Sequence, residues 1–240
     1  MNLVRKMLII LLSLFILSCS QDEEDVTIKE NINVPEDINI VEDIHVLKDI
    51  KVLIVGNSIL RHPPASYIGW YGDWGMAATS PDKDFLHVYS RLLQISNKYN
   101  YVNVNSKNIA VWENDFTYNL NEFVDITSET YDVLIVRLGE NVSNTANYHM
   151  ALNNMINLFK TKDTKVIITG IVWENDIKES IHKQIALENG YKYVSFEDFR
   201  ANRNNYAWGL FESIGVAAHP SDFGMQNIGQ LLYNSTIEIY

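Results

Sequence analysis

Ser58 has the sequence context that a nucleophilic serine requires. It follows the apolar run at residues 52–55 through the dipeptide Gly56-Asn57, so a buried strand ends in a small, sharp turn. A serine in such a turn is held rigidly, and its own N–H is free to donate to an oxyanion. Two other interpretations are open, the N-cap of a helix and a phosphate-binding loop. The phosphate loop is poorly supported because residues 56–60 contain one glycine and no hydroxyl beyond that of Ser58.

His219 is the candidate general base. It lies in the segment Ala-Ala-His-Pro-Ser-Asp, directly before a stretch with helical periodicity. Pro220 restricts the backbone, and either Ser221 or Asp222 can cap the helix, so the imidazole would be held on a defined loop. There it could take a proton from Ser58. The alternative for a single histidine is a purely structural role.

Asn141 is the candidate for oxyanion stabilisation. It follows Gly139-Glu140 just after the apolar run at residues 133–136. A side-chain amide in that place can donate an N–H to a developing oxyanion. The alternative is an ordinary turn asparagine.

The elements that would position these residues alternate along the chain. Helical spacing of apolar residues stands at 84–98, 148–159, 177–188 and 221–233, and apolar runs typical of buried strands stand at 52–55, 101–104, 133–136, 166–169 and 193–196. This alternation predicts an α/β fold, a three-layer sandwich with a central five-stranded parallel sheet of the flavodoxin-like type. In such sheets the ligand binds beyond the carboxyl ends of the strands, where the candidate residues come.

The candidate residues also match the sequence blocks of a known superfamily. The tripeptide Gly-Asn-Ser at 56–58, the Gly-Glu-Asn at 139–141 and His219 resemble the first, third and last blocks of the SGNH hydrolases, also called GDSL-like esterases. The second block, normally Asn-x-Gly, corresponds to Asn-Ile-Ala at 108–110. The resemblance spans roughly residues 50–240, with Val142 in place of an aspartate that usually closes the third block.

The resemblance implies an SGNH hydrolase fold and a specific set of roles. Ser58 would be the nucleophile, and His219 would act first as general base and then as general acid. The N–H groups of Ser58 and Ala110 and the amide of Asn141 would line the oxyanion hole. The reaction would be ester hydrolysis through an acyl-serine, without metal or cofactor.

One departure from the superfamily pattern concerns the orientation of His219. The pattern has an aspartate three residues before the histidine, and position 216 is valine. Two copies of the pentapeptide Val-Trp-Glu-Asn-Asp, at 111–115 and 172–176, follow predicted strands and offer substitute acids. The possible third acids are therefore Glu113, Glu174 and Asp222. A backbone carbonyl in the same role and an inactive protein are the other possibilities.

The N-terminal segment predicts export and lipid attachment. Residues 1–18 have basic residues before a short apolar run, as in a signal peptide, and end at a lipobox-like sequence before Cys19, the only cysteine of the chain. The alternative is a secretory signal with a chance cysteine. Residues 19–48 would form an acidic tether, which begins like the surface-export signal of some Bacteroidetes-type lipoproteins, and residues 49–240 the folded domain. The prediction is an outer-membrane or cell-surface lipoprotein of a Gram-negative bacterium.

Composition limits the classes of partner. The formal net charge of −11 argues against a nucleic-acid partner, which requires clustered Lys and Arg. A lipid-anchored esterase indicates an ester substrate on an acylated glycan, most simply an acetyl ester, and tryptophans near the site could stack on sugar rings. Two alternatives stay open: a non-catalytic glycan-binding protein that retains the fold, supported by the missing aspartate, and an O-acyltransferase that uses the same acyl-serine.

Overall fold

The computed structural model describes residues 47–240. The predicted signal peptide, Cys19 and nearly all of the predicted tether lie outside the described residues. Within residues 47–240, no helix combines the length and the apolar character needed to cross a bilayer.

Five parallel strands form one central sheet in the order β2-β1-β3-β4-β5, which confirms the predicted fold class. The strands are β1 (Lys48–Gly56), β2 (Tyr99–Asn108), β3 (Val133–Arg137), β4 (Lys165–Thr169) and β5 (Lys192–Val194).

Both faces of the sheet are buried, because successive strand residues enter two different cores. In β1, Leu53 and Val55 belong to one cluster, whereas Val52 and Ile54 belong to the other. The continuous apolar runs in the sequence are therefore those of doubly covered strands.

Eight α-helices cover these two faces or line the sheet edge in residues 47–240. They are α1 (Phe85–Ile95), α2 (Ala110–Asn114), α3 (Val124–Thr127), α4 (Tyr148–Phe159), α5 (Asp176–Asn189), α6 (Glu197–Ala201), α7 (Ile214–Ala217) and α8 (Asp222–Ile239). Helices α4 and α5 contribute to the first core, and α1 and α8 to the second.

The strand register determines what meets at the carboxyl edge of the sheet. Gly56 at the end of β1 pairs with Asn108 at the end of β2 and with Arg137 at the end of β3. Three neighbouring strands thus end at the same level. The segments that follow them, which carry Ser58, Ala110 and Asn141, are brought to one place.

Candidate active site

Ser58 lies in the tight turn between β1 and the following segment. The carbonyl of Asn57 accepts the N–H groups of Leu60 and Arg61 at 3.0 and 3.1 Å, and the Ser58 carbonyl accepts from Met76 N–H at 3.0 Å. A side chain at Gly56 would meet Leu60 Cβ at 2.7 Å, so the turn can close this tightly only with glycine. The hydroxyl is partly exposed in a pocket of about 370 Å³ at the sheet edge.

The structure brings His219 to Ser58 across 161 residues of sequence. His219 Nε2 lies 2.9 Å from Ser58 Oγ, within hydrogen-bond distance. The loop that carries His219 is fixed by a hydrogen bond from Ala207 N–H to the His219 carbonyl, 2.9 Å. The Trp173 indole and the imidazole pack edge to face, with ring centroids 5.2 Å apart and planes inclined by 86°. Ser221, one of the two predicted caps, caps α8 by accepting Gly224 N–H.

The Nδ1 atom of His219 is held by a backbone carbonyl. It lies 2.7 Å from the carbonyl oxygen of Gly215, which fixes the tautomer with a proton on Nδ1 and leaves Nε2 able to accept.

None of the predicted substitute acids hydrogen-bonds His219, which corrects that expectation. Asp222 accepts from the N–H and hydroxyl of Thr79 and pairs with Lys83. Glu174 is exposed, and it lines a depression with Glu179 and Arg200. Glu113 is buried and accepts hydrogen bonds from Asn57, Gly139 and Asn141 instead. In the Ser58–His219 pair, which we call the dyad, the group that orients the imidazole is therefore a backbone carbonyl, that of Gly215.

Introducing an aspartate at position 216, where the SGNH pattern has one, is expected to destabilise the protein. Val216 is fully buried in a small apolar cluster with Trp70, Met76 and Ala207, so a carboxylate there would be desolvated without a partner. Val216→Asp should lower the free energy of unfolding by about 3–5 kcal/mol at neutral pH, with no gain in kcat.

The uncharged, similarly shaped Val216→Asn separates the effect of charge from that of polarity. Because burial raises the pKa of an introduced carboxyl, the extra loss in the aspartate variant should grow as pH rises above about 4 and vanish below it. Urea denaturation of both variants between pH 4 and 8 measures this. A faster and equally stable Val216→Asp enzyme would contradict the packing described here.

Burial also sets the expected pH dependence of the dyad. Desolvation lowers the pKa of His219 to about 4, against the hydrogen bond to Gly215, which raises it. A general base must be neutral, so the titration of His219 should place one inflection in kcat/KM for a neutral ester near pH 4. Glu113, which supports Asn141, has its pKa raised to about 7, so activity should rise again as Glu113 ionises, and Glu113→Gln should remove this second step. A pH–rate profile, with far-UV circular dichroism to exclude acid unfolding, measures it. An inflection near pH 6.5 that persists in Glu113→Gln would indicate a solvated imidazole instead.

Two of the three predicted oxyanion donors keep an N–H available: that of Ser58, and the second N–H of the Asn141 amide, whose first donates to Glu113 at 2.7 Å. Asn141 lines the pocket with Ser58, and the Ser58 N–H has no acceptor among residues 47–240. Ala110 also lines the pocket, but its N–H donates to Asn108 Oδ1 at 2.8 Å. Because that N–H is already occupied, the expectation for Ala110 needs correction. The arrangement offers Ser58 N–H and the Asn141 amide as the oxyanion donors.

Glu113 fixes the loop that carries Asn141. Its two carboxylate oxygens accept Asn141 Nδ2 at 2.7 Å, Gly139 N–H at 2.5 Å and Asn57 Nδ2 at 3.3 Å. Gly139 has φ 120°, a conformation that side chains rarely adopt, so the loop passes close to Glu113 only with glycine there. Burial, and then the nearby Glu140 carboxylate, raise the pKa of Glu113 to about 7.

A second buried carboxylate, Glu140, completes this support. It pairs with Arg137 at 2.7 Å and accepts Asn57 Nδ2 at 2.7 Å and Val172 N–H at 2.9 Å. Burial would raise the pKa of Glu140, but Arg137 and these hydrogen bonds hold it below the ordinary value. Asn57 thus connects the nucleophile turn to both carboxylates.

Solved structures share this architecture. A protein of Parabacteroides merdae named a GDSL-like lipase superposes with a TM-score of 0.55 at 15% identity, over 79% of this chain and 96% of that one. This chain has the fold of the GDSL-like hydrolases. A protein of Bacteroides uniformis with the same name gives a TM-score of 0.50 at 14% identity, over 80% of this chain and 97% of that one. An α/β hydrolase enzyme from the metagenome of Lake Arreo, Spain, gives 0.52 at 14% identity, over 79% and 94%.

No protein-family profile and no curated protein sequence matches this chain. At these identities the structural similarity establishes the fold, and an argument about activity has to come from the residues of the site.

Proposed function

We propose that this protein is a serine esterase that acts through an acyl-serine intermediate. The observation that carries the proposal is the 2.9 Å contact between Ser58 Oγ and His219 Nε2, in a pocket that Asn141 also lines. A hydroxyl paired with an oriented imidazole, beside free N–H donors, is the arrangement that acyl transfer from esters requires. This contact favours an enzyme over a binding protein that only retains the fold.

The reaction proceeds in two halves. Ser58 Oγ attacks the ester carbonyl carbon while its proton passes to His219 Nε2. The oxyanion of the tetrahedral intermediate accepts from Ser58 N–H and Asn141 Nδ2. Collapse of the intermediate breaks the bond to the alcohol oxygen, which takes the proton from His219. Water then attacks the carbonyl carbon of the acyl-serine while its proton passes to His219 Nε2. Collapse of this second intermediate breaks the bond to Ser58 Oγ, which takes the proton from His219, and the carboxylic acid is released.

The acyl group we propose is small, and the alcohol a carbohydrate. The pocket around Ser58 is about half the volume of a neighbouring groove between residues 112–121 and helix α4, about 370 against 730 Å³. The side chains of Ile68 and Met76 contribute apolar surface to it, which suits an acetyl methyl group. The surface location predicted from residues 1–25 would place the enzyme among acylated extracellular glycans.

Hydrolysis of a series of 4-nitrophenyl esters from acetate to decanoate, together with release of acetate from acetylated xylan, tests the proposal. We expect turnover that is fastest with acetate and is lost in Ser58→Ala. A folded wild-type protein without turnover of any of these esters would overturn the proposal.

A further inference from the structure

A groove larger than the Ser58 pocket lies beside that pocket. It has a volume of about 730 Å³ and runs between the segment at 112–121 and helix α4. Asn114, on the short helix α2, lines both the groove and the Ser58 pocket. A ligand in the groove would therefore extend directly toward the nucleophile.

The polar lining of this groove consists mainly of side-chain amides. Six asparagines contribute to it, and we call it the asparagine groove: Asn114, Asn119, Asn121, Asn144, Asn147 and Asn154. A side-chain amide has both donors and an acceptor, the same combination that a sugar hydroxyl group requires from its partners. Four of the six already make a local hydrogen bond, whereas the amides of Asn147 and Asn154 have no partner among residues 47–240. Asn147 and Asn154 are exposed. The groove is thus equipped for a ligand with many hydroxyl groups.

Aromatic side chains form the other part of the lining. Phe116 is half-buried and is held in place by stacking on Tyr148, with ring centroids 5.6 Å apart and planes inclined by 13°. Tyr118, also half-buried, lines the same groove. Trp112 is buried and supports Phe116, with ring centroids 5.2 Å apart. Flat aromatic surfaces next to amides suit the apolar face and the hydroxyl edge of a pyranose ring.

The charges of the groove exclude other ligand classes. Its lining contains no Lys, Arg or His, so a phosphate, a sulfate or an anionic lipid headgroup has no cation to meet. Its two carboxylates are already used within the protein. Asp115 accepts the N–H and hydroxyl of Thr117, and Glu113 holds the Asn141 loop. These features favour a neutral ligand.

We infer that the asparagine groove binds the sugar chain of the ester, a neutral oligosaccharide, and directs one of its acylated hydroxyls past Asn114 to Ser58. This inference rests on the proposed function, because it assigns the groove to the alcohol side of that reaction. A long acyl chain is the rival occupant. It would bury asparagine amides without giving them hydrogen-bond partners, which costs free energy for each amide.

Direct binding to the Ser58→Ala protein tests the inference without requiring turnover. The ligands are xylohexaose, mannohexaose, cellohexaose and chitohexaose, measured by isothermal titration calorimetry. We expect at least one of them to bind. Phe116→Ala and Asn154→Ala, each made in the Ser58→Ala protein, should weaken that binding about tenfold, as for the loss of a central contact.

Asn157→Ala is the matched control, because Asn157 is also an exposed asparagine on helix α4 but does not line the groove. It should bind the sugar as the parent does. The absence of binding by all four oligosaccharides, or equal weakening by Asn154→Ala and Asn157→Ala, would overturn the inference.

A kinetic arm addresses the rival occupant. If Phe116→Ala raises KM for 4-nitrophenyl decanoate while oligosaccharide binding stays intact, the groove holds an acyl chain and the inference is wrong. Oligosaccharide binding in a wild-type protein that hydrolyses no ester would instead refute the proposed function and leave the groove as a sugar site.

Discussion

Replacing Ser58 with alanine should reduce kcat for 4-nitrophenyl acetate by roughly 10⁴–10⁶-fold, the range found when a member of a catalytic triad is removed. His219→Ala should cause a loss of similar size, because the Ser58 hydroxyl is a weak nucleophile until an imidazole takes its proton. Since the two side chains act as one unit, the double variant should be no slower than the slower single variant. Steady-state kinetics at pH 8 with purified, folded proteins measures all three.

Ser66→Ala is the control for the serine substitution, because Ser66 is exposed and lies outside the Ser58 pocket. It should keep the wild-type rate. Losses that multiply in the double variant would contradict a shared role of Ser58 and His219.

The second large effect is expected at Glu113, which acts through Asn141. At pH 8, above its raised pKa, Glu113 is mainly ionised. A carboxylate only accepts hydrogen bonds, so the amide nitrogen of Asn141 must face it, 2.7 Å away. A glutamine can present its own NH₂ there and turn the Asn141 amide over, which removes an oxyanion donor. Glu113→Gln should therefore lower kcat by about 10²–10³-fold with little change in KM, as should Asn141→Ala.

A double-variant cycle separates this positioning role from general destabilisation. If Glu113 acts through the Asn141 amide, combining Glu113→Gln with Asn141→Ala should be no worse than Asn141→Ala alone. The matched control is Glu174→Gln, since Glu174 occupies the same place in the second Val-Trp-Glu-Asn-Asp pentapeptide but is exposed. Full multiplication of the two effects, or an equal effect of Glu174→Gln, would contradict the positioning role.

The parts of the fold that the sequence predicted are those with strong local patterns. Strands β1, β3 and β4 read as continuous apolar runs because both of their faces are buried. Strand β2 was predicted as 101–104 but extends over Tyr99–Asn108, because it lies at the sheet edge and its residues are only partly buried or exposed. The short helices α2, α3, α6 and α7 were not predicted, since four or five residues are too few to show helical periodicity.

The candidate site was predictable where a side chain carries the role. Ser58, His219 and Asn141 have recognisable sequence contexts, and the structure places all three at one pocket. The partner of His219 Nδ1 is the backbone carbonyl of Gly215. Every residue has such a carbonyl, so the sequence could not identify this one. The Ala110 N–H donates to the side-chain oxygen of Asn108. Whether that hydrogen bond forms depends on the rotamer of Asn108, which the sequence does not specify.

The two identical pentapeptides show what only the topology decides. Glu113 follows β2, which neighbours β1, so it enters the centre of the site. Glu174 follows β4, which is separated from β1 by β3, and it faces solvent. Strand order cannot be read from the pentapeptide itself. The buried partners Arg137 and Glu140 did leave a signal, a charged pair three residues apart at the end of an apolar strand.

The most direct measurement is intact-mass analysis after treatment with a fluorophosphonate. The proposed chemistry predicts a single covalent adduct on the wild-type protein, its loss in Ser58→Ala, and much slower labelling in His219→Ala because the hydroxyl is no longer activated. Peptide mapping should place the adduct on Ser58. An adduct that persists in Ser58→Ala, or a folded wild-type protein that is never labelled, would contradict the assignment of Ser58 as the nucleophile.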